Sequence, residues 1–279
     1  MESTSPAWSE IFSPDRLGYA PDPLPAGGIS PEWAWGGATG KNVRVAVVDS
    51  GIENDHPAIA GRVKTFAAFS ADKDGKVQED REPHDDNFGH GTACADVILR
   101  LAPEAELASV RVLGQFLRGK GLVFAAGLRW AIEQGYQVVN LSLGTTQKDY
   151  AGLFHELADL AYFKGTILVT AANNMHQDSF PSLYASVLSV ASHHGLAPYD
   201  PYDYYYNPAP PPEFGAWGMN VRVAWLGGSY LEVTGNSFAA PHIAGLAARI
   251  LSKHPELRPF HLKSILAALA RNARLTAPA

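Results

Sequence analysis

The chain has 279 residues, of which 46% are hydrophobic and 18% charged, and its formal net charge is -6. That supplies enough apolar surface for one large core, while the acidic balance and the lack of a long Lys/Arg run argue against a nucleic-acid partner. The single cysteine, Cys94, excludes a disulfide framework within the chain, and no apolar stretch reaches the length of a membrane span, so the expectation is one soluble α/β domain with no membrane partner.

Residues 1–28 contain Pro6, Pro14, Pro21, Pro23 and Pro25 with little periodicity, which reads as an extended arm. They lack the basic and apolar regions of a secretory signal, which points to a cytoplasmic protein. The folded domain is expected over 29–279, opening with a helical turn at Pro31–Trp35. Val43 to Val48 is then a near-continuous apolar run, the pattern of a strand buried on both faces, and it ends in Asp49. A carboxylate there falls at the carboxyl edge of the sheet, where open α/β folds hold ligands. A nucleotide-binding first strand would end similarly, but no GxGxxG follows. Residues 71–87 are polar and acidic and read as a surface loop; a cation site there has only its acidic clusters in its favour.

Gly89-His90-Gly91-Thr92 forms a turn into a helix running from Ala93 to Leu101. Glu106 to Gly114 reads as the next strand, and Leu117-Arg118-Gly119-Lys120-Gly121 follows it. Phe124, Leu128, Ala131 and Ile132 recur at helical spacing, as do Leu153, Leu157, Leu160 and Ala161 within a helix expected over 149–164. Strands are expected within 137–146 and over 166–171, the second leading into Ala171-Ala172-Asn173-Asn174. From His193 to Pro212, five tyrosines stand among prolines, a composition that opposes regular structure. It reads as a rigid surface loop whose rings either pack on the body or face a partner. Val221 to Gly228 restores a strand and turn. Thr234-Gly235-Asn236-Ser237 then leads into a helix with no charge before Arg249, hence a buried one, and Phe260, Leu262, Ile265, Leu266 and Leu269 mark an amphipathic C-terminal helix.

Singly, the polar residues at these junctions have ordinary explanations. A serine at the start of a helix is most often a cap, and a lone histidine is most often structural. Ser237, however, lies where unpartnered helix N–H groups favour an oxyanion, and Asp49, His90 and Ser237 follow one of the chain orders known for a catalytic triad. In "VVDSGIENDHP", "GHGTACADVI" and "GNSFAAPHIAGL" the sequence resembles the subtilisin-like serine protease family.

The resemblance implies a three-layer α/β sandwich with a mostly parallel central sheet flanked by helices. It further implies acyl transfer to Ser237, with His90 as general base and Asp49 fixing the imidazole. The family's Ala-Ala-Gly-Asn segment corresponds to residues 171–174, which assigns the oxyanion amide to Asn174 and places Asn173 where glycine is usual. An extended peptide or protein substrate would lie beside Gly119, Lys120 and Gly121, and Ser142, Leu143 and Gly144 would line the first specificity pocket. The calcium loop usual before the strand at Glu106 is missing, so no metal and no cofactor are expected. Phe238 stands where the family often has methionine, removing an oxidation liability. A transpeptidase or macrocyclase would share the acyl-enzyme, and an inactive peptide-binding scaffold would share the fold. The absence of a shielding insertion near His90 favours hydrolysis, and the filled triad positions favour an enzyme.

Overall fold

The computed structural model describes residues 15–16, 24–25, 28–193 and 199–274. Every residue of β1 (Arg44–Asp49) from Val45 onward is buried, which requires cover on both faces of the strand. β1 lies between β4 (Glu106–Arg111) and β5 (Val138–Leu141), parallel to both. β2 (Val63–Ala71) extends the parallel sheet beyond β4, and β6 (Ile167–Ala171), β7 (Leu188–His193) and β9 (Phe214–Trp217) extend it beyond β5. Two antiparallel strands, β3 (Val77–Asp80) and β8 (Tyr205–Tyr206), close the edges, giving the order β3-β2-β4-β1-β5-β6-β7-β9-β8. β10 (Val221–Trp225) and β11 (Ser229–Val233) form a separate hairpin.

The helices divide between the faces. α1 (Pro31–Trp35), α2 (His90–Leu101), α5 (Asn236–Lys253) and α6 (Pro259–Leu269) pack on one side, where Ile98, Leu101, Ile243, Leu246 and Leu266 share a core with Val45 and Val47. α3 (Gly121–Glu133) and α4 (Ala151–Lys164) cover the other, with Leu128, Ile132, Phe154 and Leu157 against Ala46 and Val48. The short α7 (Arg271–Arg274) ends the described chain. This is the three-layer, mostly parallel α/β sandwich that the motifs implied. The chain leaves β1 toward β2 and β4 on one side and returns to β5 on the other, so Asp49 ends a strand at the point where the sheet order reverses.

Several local expectations need correction. Residues 71–87 are not all loop: Val77–Asp80 pairs with Ala68–Ala71 as a β-hairpin at the sheet edge, where polar side chains suit an exposed strand. The helix carrying His90 begins at His90 itself rather than at Ala93, and α4 begins at Ala151, after a short 3-10 turn at Lys148–Tyr150. In the tyrosine-rich stretch Tyr205–Tyr206 pairs as a short edge strand where only loop was expected. Of the five rings Tyr204 alone is buried, while Tyr199 and Tyr202 pack on the body and stay 40% and 37% exposed. Tyr204 is buried with its hydroxyl donating to the Leu266 carbonyl, Tyr202 stacks on Trp35, and Tyr199 donates to Nε2 of the buried His242. Burial pushes His242 down to about 4, so it stays neutral, and its Nδ1 donates to the Phe238 carbonyl. Most of the proposed arm, residues 1–14, 17–23 and 26–27, lies outside the described residues, as do residues 194–198.

α2 and α5 pack against each other closely enough that Gly245 has no room for a side chain. A Cβ there would sit 2.7 Å from Cβ of Leu101 and 3.2 Å from the Ile98 carbonyl oxygen. Gly245→Ala gains roughly 1 kcal/mol of helix propensity, while overpacking against a helix backbone costs about 1–3 kcal/mol. The clash is expected to win. The variant should lose about 1 kcal/mol in urea unfolding, and an unchanged or raised midpoint would show that the helices yield.

Candidate active site

Asp49 is fully buried, and its carboxylate is satisfied by donors that the next turn and α2 bring to it. The Ser50 amide donates to Oδ1 at 2.8 Å, and Nδ1 of His90 lies 2.9 Å from both carboxylate oxygens. Since ionised carboxylates only accept, Nδ1 carries the proton in this pair. Burial disfavours the charged imidazole, but the Asp49 carboxylate outweighs it, so His90 titrates well above the ordinary histidine range.

The His90 turn is held by a second buried carboxylate that sequence reading missed. Oδ1 of Asp86 accepts from the Ser50 hydroxyl and from the amides of Phe88 and Gly89, and Oδ2 accepts from the amide and hydroxyl of Thr92. The Ser50 hydroxyl in turn accepts from the Gly91 amide, so one network joins the turn after β1 to the first turn of α2. Gly91 is obligatory for space, since a Cβ there would lie 2.0 Å from the Gly51 carbonyl oxygen. Asp86 lies three residues before the Gly89 N-cap, outside the usual capping position, so its role is not readable from the local sequence.

Ser237 sits in the first turn of α5. Helix α5 begins at Asn236, which puts Pro241 inside the helix, beyond the first turn where proline's missing donor costs little. Proline has no N–H, so the carbonyl of Ser237, four residues earlier, loses its helical donor. Ser142 supplies the replacement: its hydroxyl donates to the Ser237 carbonyl at 2.7 Å and accepts from Nδ2 of Asn140 at 2.9 Å. The Cys94 thiol approaches the same carbonyl at 3.6 Å. Burial raises the Cys94 pKa, keeping the group a thiol. Ser142 thus anchors the serine-bearing turn as well as lining the cleft.

Asn174 is fixed from the same helix end. Its Oδ1 accepts from the free Asn236 amide at 2.8 Å, which leaves Nδ2 beside Gly235 near the Ser237 hydroxyl. Asn173 is turned on its own backbone instead, its Oδ1 accepting from the Met175 amide. Asn236, also missed, ties these loops together: it accepts from the Ser192 amide and donates to the carbonyls of Ala172 and Asn173.

His90, Ser237, Asn173 and Asn174 open onto one cleft of about 440 Å³, whose walls include Gly119, Lys120, Gly121, Ser142, Leu143 and Gly144. Asp49 stays beneath it. Gly121 is the first residue of α3 rather than part of the extended segment, and Ser179 is an unforeseen wall residue whose hydroxyl is shared with Ser182. Among the described residues, Asp49, His90 and Cys94 form the one donor cluster at metal-ligand spacing. Here Asp49 and His90 bond to each other, with Cys94 at 3.9 Å and 4.0 Å.

The sequence model of the subtilase family matches residues 40–278. Thermitase of Thermoactinomyces vulgaris is 31% identical over 235 residues, covering 79% of this chain and 78% of thermitase. Subtilisin E of Bacillus subtilis (strain 168) is 32% identical over 234 residues, covering 78% of this chain and 58% of that protein. Among solved structures, the S41 psychrophilic protease superposes with a TM-score of 0.68 at 25% identity, covering 82% of this chain and 83% of that one. Fold and relatives define a serine endopeptidase of the subtilisin-like class. The chain belongs to the subtilase family.

Ser142→Ala leaves the Ser237 carbonyl with only a weak thiol donor, and is expected to cost about 1–3 kcal/mol. Pro241→Ala gives the helix back its own donor, so the double variant should recover part of that loss. A double-mutant cycle in urea that shows simple additivity would remove Ser142 from this role.

Proposed function

We propose that this chain cleaves internal peptide bonds through the triad Asp49, His90 and Ser237. Nε2 of His90 takes the Ser237 hydroxyl proton as Oγ bonds to the scissile carbonyl carbon. The oxyanion that results is held by the Asn174 side-chain amide and the Ser237 backbone N–H, both at the positive end of α5. Collapse breaks the C–N bond, and the imidazolium gives its proton to the departing amine. Water, deprotonated by the same histidine, then attacks the acyl-enzyme and releases the acid. Asp49 stays ionised throughout, keeping the Nδ1 proton in place and favouring the imidazolium. The peptide lies extended along Gly119, Lys120 and Gly121, with the residue before the cleaved bond against Ser142, Leu143 and Gly144.

The observation that carries this reading is the bond from Nδ1 of His90 to a fully buried Asp49, which reserves Nε2 for the cleft that Ser237 lines. A peptide-binding scaffold has no need of a buried ion pair beneath its groove. Ser237→Ala removes one oxygen from a turn that tolerates alanine, so it is expected to fold as the parent does while losing both casein hydrolysis and labelling by a fluorophosphonate. Labelling that survives in the folded variant would place the nucleophile elsewhere, and a parent enzyme that neither labels nor cleaves would favour the scaffold.

A further inference from the structure

A second cavity, of about 350 Å³, adjoins the cleft and shares Leu113, Gly119 and Lys120 with it. Between the two runs the extended segment at Gly119, pressed so flat on the chain just after β4 that a Cβ there would lie 2.7 Å from the Val112 carbonyl oxygen. Successive side chains of an extended peptide point to opposite faces. A chain laid along this segment therefore offers alternate side chains to the cleft and to the second cavity.

The second cavity has basic walls. In a chain of net charge -6, its walls carry Arg111, Arg118 and Lys120 against a single carboxylate, Asp80. Among the described residues, none of the three cations forms an ion pair. Arg111 makes one long hydrogen bond, to the Asp85 carbonyl at 3.3 Å. Asp80 accepts from the Glu82 amide through Oδ1. Asp72, which does not line the cavity, is held by the amides of Asp74 and Lys76 and by Gln78, and the Lys120 charge also favours its ionised form. The cavity thus holds more positive charge than its own carboxylates neutralise, and arginine forks suit a carboxylate's two oxygens.

We propose that this cavity is a subsite for an acidic side chain of the substrate, Asp or Glu, at a position N-terminal to the cleaved bond. The assignment rests on the endopeptidase reading for the direction of the chain, but not for the binding itself. Arg111 is half-buried and supplies the more persistent charge. Arg118 and Lys120 are exposed, so their attraction is screened by salt.

The test uses peptides in which a Glu is walked through the four positions before the cleaved bond, with Gln and Lys in its place as controls. Affinity is measured by fluorescence anisotropy on the Ser237→Ala protein, and kcat/KM on the parent. At one position Glu is expected to be favoured over Gln by about fivefold to tenfold at low ionic strength, and Lys disfavoured, in both measurements. The preference should shrink with salt and fall toward unity in Arg111→Gln and in the exposed Arg118→Gln. Equal affinities for Glu, Gln and Lys at every position would overturn the subsite. So would a Glu preference unchanged by both substitutions. Glu-selective binding without cleavage by the parent would sink the endopeptidase reading and leave the subsite standing.

Discussion

The molecule depends on a carboxylate that has been taken out of water. Asp49 ends the central strand with no solvent exposure, and an isolated charge in such a place is costly by many kcal/mol unless donors surround it. The donors come from the turn that follows and from the helix that covers it. The Ser50 amide and His90 Nδ1 take the carboxylate directly, and Asp86 holds both elements in register through Ser50 and Thr92. Burial and chemistry are therefore one requirement. The packing that hides the charge also gives the imidazole one orientation and raises its basicity.

The second requirement is that α2 and α5 meet with little tolerance, because one begins with His90 and the other carries Ser237 in its first turn. Gly245 against Leu101 brings the helix bodies together, and the helix starts are tied by polar contacts. Pro241 leaves a carbonyl free at the serine, and that carbonyl is held by Ser142 from the end of β5 and approached by Cys94 from α2. A helix defect thus becomes a fixture: the orphaned acceptor binds the serine's backbone to two other elements. The ring of Phe238 packs against the His90 ring with centroids 5.2 Å apart, adding an apolar contact between the two helix starts.

What the sequence disclosed follows from where the strongest physical signals lie. β1 was legible because an apolar run ending in Asp is hard to place except as a buried strand, and α5 because thirteen residues pass from Ser237 to Arg249 with one charge, at the last. The helix at His90 was recognisable, though its start was misplaced by a turn. β3 was missed because an edge strand with exposed polar side chains looks locally like a loop. The tyrosines from 199 to 206 gave composition without direction, since only the tertiary structure decides whether a ring beside a proline faces inward. The resemblance assigned the oxyanion amide to Asn174 by alignment alone; in the structure the Asn236 amide holds Asn174, while Asn173 turns on its own backbone. Asp86, Ser142 and Asn236 act through contacts between distant segments, and no local pattern encodes those.

Titration of the His90 imidazole by NMR measures the central interaction directly. Burial without the carboxylate would lower the histidine's pKa, and the Asp49 contact is what reverses the sign. The imidazolium is therefore held preferentially by the folded protein. Its contribution to stability is complete below the unfolded-state pKa of about 6.5 and is lost as pH rises through the higher folded value. The account predicts a midpoint well above 6.5 in the parent, and a fall below the ordinary histidine range in Asp49→Asn, where desolvation remains and the charge is gone. A parent midpoint at or below the ordinary value, or one that Asp49→Asn leaves in place, would contradict it.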